Sequence, residues 1–502
     1  MSSSAPTTQL SHKYLPTEEI QQIEKWPIKV LQFGTGVLLR GLNDQIIDVA
    51  NRQGAFQGKI ALVASTGSGR SQLLKEQDHL FTNQIEGVKG EEVFKEATIN
   101  VSLGKVLNAK DEWEEVLALA QTPSLRIIMS NTTEVGVQYH ADDLKASPPE
   151  TFPAKLTRFL WERFTFDPKL PLIVLPSELL IDNGDKLLEI VLQHAADHAL
   201  PPAFHTWLKE DCSFCNTLVD RIVTGYPNEE KAKKLFAELG FEDTLLTVAE
   251  PYGLWAIEGE PSLDETLSFA NQGWGAVRVK SVRPFRERKL RILNGSHTIF
   301  VALSHLMGVK TVAEAMDDAD LGAYLKGVML DEIVPSLPAD VDGGAEFATD
   351  VMNRFRNPFL HHQVIDITLQ YTSKMNLRNF ANFERYGQKF GSCPPLMSLG
   401  LAAFVMFSRP TEHEGNRWQG SWEGQSYPLR DAHSAWWQQR WEAFDLAEAR
   451  TWTEATLSEL GPGGENFALI PGLTQQVSAH LSDFLSGKSL RTCLQELLSK
   501  IA

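Results

Sequence analysis

Apolar residues follow two different rhythms along this chain of 502 residues. Before about residue 284, short β-branched and apolar runs alternate with helical spacings. The first run, PIKVLQF at 27–33, leads into Gly34-Thr35-Gly36 and then into Leu38, Leu42, Ile46, Val49 and Ala50, spaced mostly three and four residues apart. That pattern predicts a strand, a tight turn and a helix with one face against a sheet. Further strands are expected at 59–65, 126–130, 171–176 and 276–280, with helices at 112–120 and 185–195 between them. Strands alternating with helices predict a doubly wound, largely parallel α/β sheet. After Pro284 strand-like runs nearly vanish, and helices are expected at 288–307, 317–330, 345–355 and 432–449. The stretches 410–425 and 461–464, rich in Gly, Glu and Trp or in Gly and Pro, read as surface loops. The expected organisation is a mobile, Ser/Thr-rich arm at 1–25, an α/β domain at 26–284 and a mostly helical domain at 285–502.

Charge narrows the partners. Forty-seven Lys and Arg against 64 Asp and Glu give a formal charge of −17, which argues against nucleic-acid or anionic-membrane binding, since both need a dense basic surface. An anionic small substrate would need a locally basic pocket. The longest strongly apolar run, Leu399 to Phe407, is far short of the roughly 20 residues that cross a bilayer. The polar N-terminus has no signal-like apolar core, and the 4 cysteines suit a reducing cytoplasm better than a disulfide scaffold.

Two stretches carry candidate chemistry. Gly34-Thr35-Gly36 sits between a predicted strand and helix, where a backbone stripped of side chains can approach a pyrophosphate at the positive end of the helix. Two glycines can equally make nothing more than a tight turn. The third glycine of the dinucleotide fingerprint is absent, because Leu39 stands there and Gly41 lies two residues further on. After the second strand the chain reads Ser65-Thr66-Gly67-Ser68-Gly69-Arg70. With no carboxylate before Glu76, the segment leaves the choice between a bare ribose and a 2′-phosphate open.

The second stretch is Arg288-Lys289-Leu290-Arg291-Ile292-Leu293-Asn294-Gly295-Ser296-His297. On a helix at about 100° per residue, with Lys289 at zero, His297 falls at roughly 80° and Asn294 at roughly 140°. The three can line one side of a cleft, beside an arc of Ile292, Leu293, Ile299, Phe300, Leu303, Leu306 and Met307. A lysine at the edge of a buried face sheds hydration, which favours a neutral amine able to take a proton from an alcohol. Asn294 could then donate to the substrate oxygen, with His297 orienting it. The same three residues also fit a partly solvated helix with ordinary polar positions. Gly295 within the helix costs about 1 kcal/mol relative to Ala, so close packing is expected there.

Lys289-x-x-x-x-Asn294-Gly295-Ser296-His297, with Phe33-Gly34-Thr35-Gly36 and Asp220-Arg221-Ile222, resembles the polyol-specific long-chain dehydrogenases of the mannitol dehydrogenase family. Segments 130–136, 220–227, 250–259 and 356–359 are similar to the branch of that family acting on hexuronate-derived sugar acids. The resemblance implies a Rossmann-like N-terminal domain, a helical C-terminal domain and a cleft between them. It implies a metal-independent enzyme using NAD(H), with NADP(H) not excluded, that interconverts D-altronate and D-tagaturonate. The alternatives within the same chemistry are D-fructuronate reduction and polyol oxidation of the mannitol type. Carried over by residue, Lys289 is the general base and Asn294 with Asn183 polarises the reacting oxygen. His297 and Lys374 bind substrate, and Phe33, Gly34, Thr35, Gly36 and Asp220 lie at the cofactor. Where polyol enzymes carry an arginine eight residues before Lys374, this chain has Asp366. A uronate carboxylate needs a cation or a bidentate fork, for which Lys374 and Arg378 are candidates, with His361 and His362 nearby.

Cys212-x-x-Cys215 has redox spacing without a thioredoxin-like context. His361, His362, His413 and His433 lack the ligand spacing of a zinc site, so no metal is expected. The C-terminal tryptophans read as packing residues, and Trp255 as a residue that could border the active cleft.

Overall fold

The computed structural model describes residues 8–65, 69–90, 92–132, 136–415 and 417–501. The chain divides into two compact units, one of residues up to 86 with 93–282, the other of residues 87–92 with 283–502.

The first unit is built on six parallel strands, β1 (Ile28–Phe33), β2 (Lys59–Ala64), β3 (Leu103–Asn108), β4 (Ile127–Ser130), β5 (Ile173–Pro176) and β6 (Ser213–Phe214). Their spatial order is β3-β2-β1-β4-β5-β6. This is the doubly wound Rossmann order, which reverses direction beside β1 and opens a crevice beyond the carboxyl ends of β1 and β4. β1, β2, β4 and β5 are almost wholly buried, which is why they read as continuous apolar runs. The helix after β1 runs from Val37 to Arg52; its first turns are a π-helix at Leu39–Asn43 and the remainder is α1 (Asp44–Arg52). α2 (Asn183–Asp197) follows β5.

Several expectations change. Ala276–Val279 is a strand, but it pairs with Leu254–Glu258 in a separate three-stranded sheet. The long strands Phe81–Lys89 and Glu92–Asn100 carry too many polar residues to stand out by hydropathy. The mobile arm expected at 1–25 is corrected over its described part, and residues 1–7 lie outside the described residues. Thr8–Gln9 pairs with Phe241–Glu242, Thr17–Ile23 is helical, and Leu10 and Ile23 are buried with Leu80, Val101 and Phe241. Trp255 does not border a cleft; it is fully buried and stacks on Phe269 at 5.1 Å.

The second unit is mostly helical. One continuous helical run passes through Arg283–Arg288, a π-helix at Lys289–Gly295 and α3 (Ser296–Leu306). It starts before the expected Arg288, because Pro284 lies in its first turn, where a missing N–H costs nothing. α4 (Tyr371–Phe390) packs on the π-helix and α3, and α5 (Pro395–Phe407) packs on α3. The apolar run noted in the sequence is therefore the central core helix, with 12 of its residues buried. Among the described residues no helix is long and apolar enough to cross a membrane. The expected loop at 410–425 is instead most of an antiparallel sheet, Pro410–Glu414, Arg417–Trp422 and Gln425–Leu429. The helix expected at 432–449 breaks after Glu442 and resumes at Ala449–Leu457.

Candidate functional site

In the first unit the glycine turn closes β1. Gly34 has φ +124°, a conformation open to glycine, and a Cβ there would sit 3.2 Å from Leu39 and 3.3 Å from the Asn131 carbonyl oxygen. A Cβ on Gly36 would meet nothing within 4 Å, so its face is open. The missing third glycine has a structural replacement. Leu39 is buried, while Gly41 presses on the neighbouring sheet so closely that a Cβ would lie 2.7 Å from Val223.

Buried polar groups hold the turn. Gln32 donates to the Gly34 carbonyl at 3.2 Å and to Asp44 Oδ2 at 3.4 Å. Arg40 reaches back to the Thr35 carbonyl at 2.5 Å and to Thr247 Oγ1 at 3.2 Å. Burial pulls Arg40 down to about 10 and pushes Asp44 up to about 7. Arg221, of the Asp220-Arg221-Ile222 segment, donates to the Gly41 carbonyl at 2.8 Å and to the Glu250 carbonyl at 2.8 Å, tying that segment to the π turn. Asp220 is buried at the end of the strand Thr217–Asp220, opposite Leu254.

This crevice fits a dinucleotide. Gly34 supplies the turn and Gly36 an open face for a pyrophosphate, and the first N–H groups of the helix beginning at Val37 have no intrahelical acceptor. Phe33 is corrected in part: its ring is fully buried, 5.3 Å from Phe152, so only its backbone can border a cofactor. Thr66, Gly67 and Ser68, on which ribose recognition was to turn, lie outside the described residues, as do Thr133, Glu134 and Val135.

Asn183 also departs from expectation. It is buried, and its amide donates to the carbonyls of Pro176 at 3.0 Å, Glu178 at 3.0 Å and Thr217 at 3.2 Å, while its oxygen accepts the Thr217 N–H at 2.9 Å. With its groups committed to backbone, Asn183 joins the end of β5 to the strand at Thr217 rather than presenting a free donor. Asn216 caps the same helix from outside, accepting from the N–H groups of Gly184 and Asp185 at 3.0 and 3.2 Å. Glu178, missed in the sequence, is buried and accepts from Thr132 N at 2.9 Å and Ser130 Oγ at 3.2 Å, bracing the ends of β4 and β5.

In the second unit the π-helix brings Lys289 and Asn294 into an i, i+5 relation, the repeat of its own hydrogen bonds. The wider turn sets them closer in azimuth than the roughly 140° of a regular helix. Both are half-buried. The expected close packing at Gly295 is present: a Cβ there would lie 2.8 Å from Asn382 Nδ2 and 3.2 Å from Asn379 Oδ1, both on α4. Arg291 reinforces the contact, donating to the carbonyls of Leu377 and Arg378 at 3.1 and 3.0 Å.

His297 sits one turn on, its ring 4.8 Å from that of His362, 4.9 Å from Phe355 and 6.0 Å from Phe300. Its Nε2 is buried with no hydrogen-bond partner among the described residues. Burial, followed by the positive fields of His362, Arg378, Arg354 and Lys374, holds this imidazole well below its ordinary value, so it is neutral near pH 7. Lys374 and Arg378 stand one turn apart on α4. Lys374 donates to the Ile367 carbonyl at 2.9 Å; Arg378 donates to Thr298 Oγ1 at 3.0 Å, which donates in turn to the Asn294 carbonyl at 2.8 Å. The structure thus gathers Lys289, Asn294, His297, Lys374 and Arg378 on adjoining helices. His362, named beside Lys374 and Arg378 in the sequence, stands with them, and Arg354 is added from the helix Gly344–Phe355, a separate segment that helical spacing could not link to His297. His361 is exposed. Asp366, in place of the polyol enzymes' arginine, pairs with Arg430 at 3.0 Å.

Among the described residues no group of three His, Cys, Asp or Glu is arranged to hold a metal. Cys212 and Cys215 are free and buried, and burial pushes both thiols up to about 12, which makes them poor redox nucleophiles.

Residues 28–271 match the mannitol dehydrogenase Rossmann domain, and residues 281–442 match the mannitol dehydrogenase C-terminal domain. The chain belongs to the mannitol dehydrogenase family. It is 36% identical over 472 residues to an altronate oxidoreductase of Yersinia pestis, covering 92% of this chain and 95% of that one. An altronate oxidoreductase of Pectobacterium carotovorum is 38% identical over 472 residues, covering 91% and 94%. Two solved members of the mannitol dehydrogenase fold are similar across nearly the whole chain at 22% identity. A substrate-free D-sorbitol dehydrogenase has a TM-score of 0.74 and covers 97% of this chain and 100% of its own. Mannitol 2-dehydrogenase of Pseudomonas fluorescens, in a ternary complex with NAD and D-mannitol, has a TM-score of 0.63 and covers 99% and 98%.

Proposed function

We propose that this protein is an NAD(H)-dependent altronate oxidoreductase, interconverting D-altronate and D-tagaturonate. One observation carries the reading: a chain similar over more than nine-tenths of its length to altronate oxidoreductases places an unpartnered neutral histidine among basic side chains on the helix that bears Lys289. Gly34, Thr35, Gly36, the Phe33 backbone and Asp220 are the proposed cofactor contacts. NAD(H), when bound, supplies or accepts the hydride at the reacting carbon.

The chain's residues handle the proton and the charge. In alcohol oxidation, the Lys289 amine takes the hydroxyl proton; in carbonyl reduction, it returns the proton to the oxygen. Asn294 donates an N–H to that oxygen as negative charge develops. His297 offers Nε2 to a neighbouring hydroxyl, and Asn183 acts as a positioning residue for the loop after β5. Packing of α4 on the π-helix and α3 holds Lys289, Asn294 and His297 in place, so little reorganisation of these three is needed during the reaction. The proposed partner is a small sugar acid, with neither nucleic acid nor membrane, and the proposed location is the cytoplasm.

A substrate panel tests the assignment. NADH oxidation is expected with D-tagaturonate at a kcat/KM above those for D-fructuronate and D-fructose, and with NADPH at a lower kcat/KM. A preference for D-fructuronate or D-fructose overturns the substrate assignment.

A further inference from the structure

The basic groups around His297 are more than an oxyanion-stabilising site requires. Arg378 rises from α4, with Lys374 one turn before it. His362 lies beyond the end of the helix Gly344–Phe355, and Arg354 lies within that helix. All four act on His297 with the same sign. Acidic groups do stand near: Asp350 faces Arg354, Asp366 faces His362 but is paired with Arg430, and Asp431 faces Lys374 while accepting from Thr372. Among the described residues, however, no carboxylate lies within ion-pairing distance of Arg378 or Lys374.

Burial lowers both cations from their ordinary values, Arg378 by burial alone and Lys374 by burial first and then by Arg378 and Arg430. Gathering partly desolvated charges of one sign is unfavourable unless an anion offsets the loss of hydration. Arg378 spends Nη1 on Thr298 Oγ1, which fixes the plane of the guanidinium and leaves other N–H donors for a planar, two-oxygen acceptor. His297 Nε2 completes the set as a buried polar atom lacking a partner.

We propose that Arg378, assisted by Lys374 and His362, reads the substrate's carboxylate, making this face of the second unit selective for sugar acids over neutral sugars and polyols. The inference rests on the oxidoreductase reading and names the substrate end group that the site selects. Arg378 donates in-plane to the two carboxylate oxygens, Lys374 adds a point charge, and neutral His297 hydrogen-bonds an adjacent hydroxyl. A chain with a charge of −17 has an overall field that repels an anionic substrate, so this local reversal of sign must capture it.

The test compares kcat/KM for D-tagaturonate with that for a neutral ketohexose in the parent enzyme, Arg378→Met and Arg378→Lys, each checked for retained fold by circular dichroism. Where neutral turnover is too slow to follow, inhibition constants of D-gluconate and D-sorbitol supply the same ratio. Loss of charge-assisted hydrogen bonds predicts that Arg378→Met lowers the acid-to-neutral ratio by roughly 10- to 100-fold, mainly through KM, and that Arg378→Lys restores part of it. An unchanged ratio, including one in which both activities fall together, overturns the carboxylate assignment while leaving the oxidoreductase reading intact. Faster reduction of fructose 6-phosphate than of D-tagaturonate overturns it in favour of a phosphate. A parent enzyme inactive on every sugar acid in the panel overturns the oxidoreductase reading itself.

Discussion

Lys289, Asn294 and Gly295 share one π-helical segment, and each serves it differently. In the proposed reaction Lys289 is the general base and Asn294 the hydrogen-bond donor, while Gly295 supplies the missing side chain that lets α4 approach. Lys289→Ala should lower kcat by roughly 10²–10⁴-fold with the melting temperature little changed, as steady-state kinetics and calorimetry would register. Gly295→Ala should behave in the opposite way to an ordinary helix substitution. Ala is the better helix former, but a Cβ 2.8 Å from Asn382 Nδ2 must displace a buried neighbour, so about 1–3 kcal/mol of stability is lost and kcat falls with it. Denaturant titration measures the first effect. The sequence exposed the motif and the reason for Gly295, because a glycine within an apolar helix is an anomaly that asks for a close neighbour. It named His362 but could not expose Arg354, nor the proximity of either to His297, which tertiary packing creates.

At the level of elements, buried strands were legible and half-polar ones were not. β1, β2, β4 and β5 stood out as apolar runs, whereas β3, the pair Phe81–Lys89 and Glu92–Asn100, and the sheet within 410–429 did not. Both functional helices contain a π segment, a detail of hydrogen-bond register to which hydropathy spacing is blind. Gly41 shows the consequence: its distance from Gly36 looked like a broken fingerprint, yet on the π turn it packs against Val223 where a side chain cannot fit. Caps supplied from distant segments were equally hidden. Asn216, two residues beyond β6, holds the start of α2 and also bonds Asp185 Oδ2 at 3.0 Å. Asn216→Ala should therefore cost about 1–2 kcal/mol, the range of a lost N-cap, seen as a lower denaturation midpoint at unchanged slope.

Across the whole molecule, the two rhythms of the sequence correspond to two compact units divided at Val282 and Arg283, with residues 87–92 grouped in the second. Charge also has an internal side. Asp44 lies fully buried beside the glycine turn, its Oδ1 without a partner among the described residues, and burial pushes its carboxyl up to about 7. An unfolded Asp releases its proton near pH 4, so between about pH 4 and about 7 the folded state holds a proton that the unfolded state has lost. Stability from this group is therefore greatest below pH 4 and declines as pH rises through that window. Asp44→Asn removes the titration, so the stability of the parent relative to this variant should fall between pH 4 and pH 7 and level off above, as paired melting curves across that range would reveal.

Net redox conversion of a sugar acid is measured most directly by the stoichiometry of a single mixture. Purified protein with NADH and D-tagaturonate should consume NADH and form D-altronate in equal amounts, with no turnover when the nucleotide is omitted. Formation of an isomeric keto acid without net NADH loss, or no reaction at all, would contradict the account.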